Sequence, residues 1–294
     1  VENVLIGGLT GDALTTGQYN VALGTNALGA EDTGSRNTAI GHAALSGLNY
    51  DGNGYNTAVG FWAGLSVTTG VQNTLVGGLA GDALTTGGSN TAVGYQTLST
   101  EDTGTRNTAV GYQALRDLNY DGTGHNVAVG YQSGVSVSTG VQNTIVGALA
   151  GDAVTTGANN VAVGYQALSA EDEHGANVAV GSQTLRSLNA GTNGLNTAIG
   201  NQAGYSSTTA IENVLVGAAA GYAITSGSSN VAIGRKALMT EDAHGRNVAI
   251  GYKALEDQNA GADAYNIAVG YEAGKEVTTG VQNIIIGGDA GISM

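Results

Sequence analysis

The chain has 294 residues, a formal net charge of −14, 50 Gly, and neither Pro nor Cys. The acidic balance argues against nucleic acid as a partner, because phosphates require a basic face, and the lack of Cys excludes disulfides and thiolate metal sites. No apolar run approaches the roughly 20 residues of a membrane-spanning helix, so no membrane insertion is expected of this segment; Gly without a Gly-X-Y period or Pro is not collagen.

The chain opens on Asn3-Val4-Leu5-Ile6-Gly7, and versions of this pattern follow to its end: Asn, a Thr, Val or Ile, an Ala, Leu or Ile, an aliphatic residue, then Gly. The leading asparagines are Asn3, Asn20, Asn37, Asn56, Asn73, Asn90, Asn107, Asn126, Asn143, Asn160, Asn177, Asn196, Asn213, Asn230, Asn247, Asn266 and Asn283. Their spacings run 17, 17, 19 and 17 residues, and the quartet repeats every 70, which makes Asn3, Asn73, Asn143, Asn213 and Asn283 equivalent. A short period with no drift marks a repeat architecture, in which stacked units share a continuous core. The expectation is one all-β solenoid domain over residues 1–294, of about 17 coils. Val1-Glu2-Asn3 matches Val71-Gln72-Asn73, so the first residue already lies in phase, as in a fragment or processed part of a longer fibre.

Each unit is too short for a helix plus a strand, and its apolar residues follow period 2. In Thr108-Ala109-Val110-Gly111, residues 108 and 110 face one way and 109 the other. The β-branched residues of the first face suit a buried strand row, so Val110 and its equivalents are expected inside the coil. A return segment such as Tyr112-Gln113-Ala114-Leu115 follows, then a loop; in the third unit of each quartet the loop is two residues longer, as at Asn119-Tyr120-Asp121-Gly122-Thr123-Gly124. The Thr-Thr-Gly turns at Thr15–Gly17, Thr68–Gly70, Thr85–Gly87, Thr155–Gly157 and Thr278–Gly280 offer hydroxyls to the local backbone and a Gly able to take positive φ. The strand Gly points to a tight bend or a close backbone approach. The asparagines, superposed by stacking, are expected to form a structural hydrogen-bonded ladder.

The segments Asn107–Leu115, Asn160–Leu168 and Asn230–Leu238 resemble the head repeats of trimeric autotransporter adhesins, the YadA-like group, and similar repeats of bacteriophage tail fibres. The resemblance spans essentially the whole chain, although the adhesin repeat is shorter and lacks the quartet. It implies a left-handed parallel β-roll, a homotrimeric fibre, an extracellular, cell-surface or virion location, and a structural or adhesive role without catalysis. A cell-surface glycan or protein receptor is the partner it implies. In that setting the Ala found two residues after most of the asparagines lets three chains approach, and the larger Leu5, Leu75, Ile145, Leu215 and Ile285 are expected to meet at the trimer axis.

No residue set spells out an enzyme, and no cofactor or metal is expected. The acidic pairs Glu31-Asp32, Glu101-Asp102, Glu171-Asp172 and Glu241-Asp242 recur 70 apart. They lack the oxygen cage of a Ca²⁺ site and read as solvated, self-repelling loop edges. Asn49–Gly54 and Asn119–Gly124 resemble a Ca²⁺ loop faintly, but the acidic residue is lost in the third copy and Asx turns explain them. His174 and His244 follow acidic pairs, His42 and His125 lie elsewhere, and all four read as surface histidines without metal spacing. Phe61, Tyr95, Tyr112, Tyr131, Tyr165, Tyr252 and Tyr271 share one repeat position, with Trp62 beside Phe61. Such a row packs between subunits or offers a ladder for sugars on a glycan-binding fibre. An ice-binding solenoid is a remote alternative, since the Thr-Thr pairs point apart instead of forming Thr-x-Thr rows.

Overall fold

The computed structural model describes residues 2–292; Val1, Ser293 and Met294, which the sequence reading includes in the array, lie outside them. The fold is an all-β parallel solenoid of seventeen coils, one three-residue strand per coil, without a helix among the described residues. Two compact units divide it, Val1–Asn143 and Thr144–Met294. The first holds β1 (Val4–Ile6), β2 (Val21–Leu23), β3 (Thr38–Ile40), β4 (Thr57–Val59), β5 (Thr74–Val76), β6 (Thr91–Val93), β7 (Thr108–Val110) and β8 (Val127–Val129). The second holds β9 (Thr144–Val146), β10 (Val161–Val163), β11 (Val178–Val180), β12 (Thr197–Ile199), β13 (Val214–Val216), β14 (Val231–Ile233), β15 (Val248–Ile250), β16 (Ile267–Val269) and β17 (Ile284–Ile286). Strands start right after the asparagines and pair in parallel register, Leu75 on Ala92 and Ala92 on Ala109 in the first unit, Leu215 on Ala232 in the second.

The two strand faces are the reverse of the sequence expectation. The middle residue points into the coil: Ala22, Ala39, Ala58, Ala92 and Ala109 are fully buried within the single chain, as are Leu75, Ile145 and Leu215. Val110 and its equivalents face outward and are only partly covered. Leu75, Ile145, Leu215 and Ile285 are therefore core residues of their own coils and not plugs between chains. A Cβ at Gly64 or Gly81 would fall 2.7 and 2.8 Å from the Leu75 methyls, which places that side chain among the return segments. Leu5 points the same way, 3.0 Å from the position of a Gly11 Cβ, but in the first coil it stays 40% exposed.

Coil thickness explains the reversal. The interior holds one residue of the strand and three of the return path, Ala109 with Ala114, Leu115 and Leu118 in one coil, and the larger Leu75 is accommodated over Gly81 of its own coil and Gly64 of the preceding one. Where the strand supplies Ala109, the return path supplies Leu115 and Leu118; where it supplies Leu75, the position of Leu115 is taken by Gly81. A β-branched residue at Ala109 would overfill this space, and overpacking costs about 1–3 kcal/mol.

Two kinds of glycine make the stacking possible. The strand glycines combine positive φ with close approach: Gly94 has φ +137°, and a Cβ there would lie 2.2 Å from the carbonyl oxygen of Gly111 in the next coil. The turn glycines are not at positive φ as the Thr-Thr-Gly pattern suggests. Gly87 is required because a Cβ would lie 2.6 Å from the Gly104 carbonyl oxygen. The corners are turned instead by ordinary residues at left-handed φ, among them Gln113 (55°), Leu115 (48°) and Arg106 (61°). Left-handed φ costs such residues roughly 1–2 kcal/mol each. The amides of Gln113 and Leu115 recover bonds to the Tyr95 and Ser133 carbonyls in neighbouring coils, at 2.9 and 3.1 Å.

The longer coils keep the same register. Asn126 N–H donates to the Asn107 Oδ1 across 19 residues at 3.2 Å, as Asn107 N–H does to Asn90 across 17 at 2.9 Å. The two added residues are taken up in the outer loop between Leu118, a buried core residue, and Gly124.

Candidate functional site

The asparagine ladder is present, with a connectivity more useful than amide stacking alone. Asn73 is fully buried. Its Oδ1 accepts from the backbone N–H of Asn90 at 3.0 Å, and its Nδ2 donates to the Gly87 carbonyl at 2.9 Å. One side chain thus ties the end of its own coil to the start of the next. Direct amide-to-amide bonds are added at some levels, such as Asn126 Nδ2 to Asn107 Oδ1 at 3.3 Å and Asn196 Nδ2 to Asn177 Oδ1 at 3.2 Å. These bonds satisfy buried backbone groups that are costly to leave unpaired.

The outward strand face is apolar. One row is aliphatic at every level: Ile40, Val59, Val76, Val93, Val110 and Val129 in the first unit, and Val163, Val180, Ile199, Val216, Ile233 and Ile250 among those of the second. The row beside it holds Thr or a β-branched aliphatic residue, and neither row carries a charge. The strand threonines therefore do line up, Thr38, Thr57, Thr74, Thr91 and Thr108 on one face. Their partners two residues on are Val or Ile, so the face is not a Thr-x-Thr array.

Most of the aromatic row is exposed, and members on adjacent coils stack. Tyr95, Tyr112 and Tyr131 have ring centroids 5.8 and 5.3 Å apart, and Tyr252 and Tyr271 are 5.3 Å apart. His42 stacks on Phe61 at 5.4 Å and Phe61 on Trp62 at 4.7 Å. Beside the tyrosines runs a glutamine ladder, Gln132 Nε2 to Gln113 Oε1 and Gln113 Nε2 to Gln96 Oε1, both 2.9 Å. Arg36 lies between the rings of Tyr19 and Tyr55, at 5.2 and 5.7 Å.

The acidic pairs are not solvated edges. Glu31, Glu101, Glu171 and Glu241 are fully buried, at the repeat position that holds Leu84 one coil before Glu101 and Leu118 one coil after it. Burial pushes all four carboxyls above the ordinary carboxylate range, against the pull of backbone N–H groups. In the first two copies the carboxylate is held by the loop: Gly34 N–H donates to Glu31 at 2.6 Å and Tyr50 N–H at 3.3 Å, and Gly104 and Tyr120 do the same for Glu101 at 2.7 and 3.3 Å. The neighbouring Asp51 and Asp121 accept from Thr33 and Thr103 hydroxyls at 2.7 and 2.8 Å. A groove lined by Asp32, Asn49, Tyr50, Asp51 and Thr69 opens over the first copy.

The last two copies differ. His174 and His244 stand where Gly34 and Gly104 do, and a Cβ at Gly34 would lie 2.5 Å from the Glu31 carboxylate. The loop must retreat, so the amide bonds lengthen to 3.3 Å for His174 on Glu171 and 3.2 Å for His244 on Glu241. The Oε2 atoms of Glu171 and Glu241 make no hydrogen bond; the Ala190 and Ala260 amides lower the carboxyl pKa values without completing one. The imidazoles turn inward, with Nδ1 at 3.7 Å from Glu171 Oε1 and 3.5 Å from Glu241 Oε1. Reading these histidines as surface residues misses this; the shared Glu-Asp-x-His spacing is the signal that finds it. Comparison of the chain with protein-family models, with curated proteins and with solved structures finds no match.

Proposed function

We propose that the chain is a non-enzymatic structural segment of a homotrimeric fibre with left-handed coils, located outside the cell or on a virion, that presents a surface for attachment to a host receptor. The observation that carries this reading is the uncharged, β-branched stripe on the outward strand face. A row of aliphatic residues unbroken from coil to coil within each unit is far beyond the isolated apolar residues normal on a protein surface, and such patches mark contact surfaces. A closed ring of copies covers the stripe on each of them, and the resemblance to trimeric adhesin heads sets the number at three. The axis is thus lined by Val110 and its equivalents, in place of the Ala and Leu row.

Light scattering on the purified chain tests this. The expected mass is three times the 29.0 kDa of one chain. Val76→Asp with Val110→Asp, and Val180→Asp with Val216→Asp, should each release monomers, because paired surfaces do not bury unpaired charge. A monomeric native chain at micromolar concentration sinks the reading.

Glycan binding is the second reading, favoured by the exposed Tyr95–Tyr112–Tyr131 stack beside its glutamine ladder. Flat rings flanked by amides suit sugar faces and hydroxyls. A glycan array on the native chain and on Tyr112→Ala separates a receptor surface of this kind from a purely structural one.

A further inference from the structure

We propose that Glu171, Asp172 and His174, and their repeat Glu241, Asp242 and His244, form two sites for a divalent transition-metal ion of the zinc class. In each group one donor atom per residue lies within 4.8 Å of the other two. The Nδ1 to Oε1 separations are 3.7 and 3.5 Å. Ligands about 2.1 Å from a tetrahedral ion stand about 3.4 Å apart, so a small inward movement of these side chains completes the geometry.

Two further observations point to a ligand. Glu171 and Glu241 are fully buried, and each keeps an Oε2 without a hydrogen-bond partner, as does Nδ1 of each histidine. Unsatisfied buried acceptors are costly and rare. The equivalent Glu31 and Glu101 have both oxygens satisfied by the loop amides. In both copies the residue that brings in the imidazole also lengthens the backbone bond to Oε1, from 2.6 and 2.7 Å at Glu31 and Glu101 to 3.3 and 3.2 Å at Glu171 and Glu241, while Oε2 is left without a partner.

The surroundings hold the ligands in place. Asn160 Nδ2 donates to the His174 carbonyl at 3.2 Å, and Asn230 Nδ2 to the His244 carbonyl at 3.3 Å. The Asp172 carbonyl takes the Thr155 hydroxyl at 2.8 Å, and the Asp242 carbonyl the Thr225 hydroxyl at 3.0 Å. The histidine side chains are 26% and 28% exposed, which leaves an entry path and room for water as a fourth ligand. One imidazole nitrogen with two carboxylates suits zinc or its neighbours; Ca²⁺ takes six to eight oxygens.

The test is calorimetric titration of the chelator-treated chain with Zn²⁺ alone, with Ca²⁺ as the comparison. Two Zn²⁺ per chain are expected, one for each group, with no comparable Ca²⁺ uptake. His174→Gly and His244→Gly restore the residue found at Gly34 and Gly104, and each should remove one equivalent, the pair both. His174→Gln with His244→Gln keeps the side-chain bulk and should lose both equivalents too, which covers the case in which the glycine pair fails to fold. No zinc uptake by the native chain, or uptake unchanged in the folded double variants, overturns the proposal.

Discussion

Leu75→Ala tests the orientation of the strands directly. The side chain is fully buried in its own coil, and its methyls fill the space over Gly64 and Gly81. Truncation removes three carbons, at about 0.8 kcal/mol each. The two glycines have no side chains to move into the gap, so the cavity adds to this, and a total of about 3–4 kcal/mol falls within the usual range for buried Leu→Ala. Val76→Ala, one residue on and half-exposed, should cost the coil about 1 kcal/mol or less. Repeat arrays open locally, so the measurement is native-state hydrogen exchange of the amides in β4, β5 and β6 at one protein concentration. A loss of about 3 kcal/mol appears as exchange faster by about a hundredfold. If those amides keep their protection in Leu75→Ala and lose it in Val76→Ala, the strands face the other way and the account of the core is wrong.

Two other outcomes follow from the same geometry. Asn90→Ala should strip the Asn107 N–H and the Gly104 carbonyl of their partners, at about 1–3 kcal/mol for each buried group; thermal melts that match the native chain would show the ladder to be ornamental. Glu31, Asp82, Glu101 and Asp152 all have carboxyl pKa values raised by burial. The folded state therefore binds protons more readily than the unfolded one, so the contribution of these groups is fully present below their unfolded values, 4.5 for Glu and 3.8 for Asp, and is lost as pH rises through the folded ones. The melting temperature of the metal-free chain should rise as neutral pH is lowered toward mildly acidic values, and a fall over that window would contradict the burial of these side chains.

Much of the fold is legible in the sequence because the repeat compares each coil with sixteen others. The start of every strand, the register and the role of Asn73 follow from period and stacking. The inward face does not, because alternation separates Ala109 from Thr108 and Val110 without saying which side is covered. Both faces are apolar, and coil thickness, a property of the whole cross-section, decides between them. The left-handed corners at Gln113, Leu115 and Arg106 are invisible for a different reason: none of these residue types prefers that conformation, and the neighbouring coil imposes it. The buried glutamates were within reach. Glu101 shares its repeat position with Leu84, Leu118 and Val137, all buried, and aligning the coils marks it as a core residue where composition suggests a surface acid.

The outer loop of the longer coils shows where this architecture tolerates novelty. Strand register is set by Asn107 and Asn126, and the core by Leu115 and Leu118, so the loop from Asn119 to Gly124 lies between two fixed points that do not depend on its length. A coil of 19 residues stacks on one of 17 without a shift. The loop can thus vary in sequence and length while the scaffold beneath it stays in phase, as long as it keeps the backbone N–H that Tyr120 offers to the buried Glu101 and the Gly122 carbonyl that takes the Thr105 N–H.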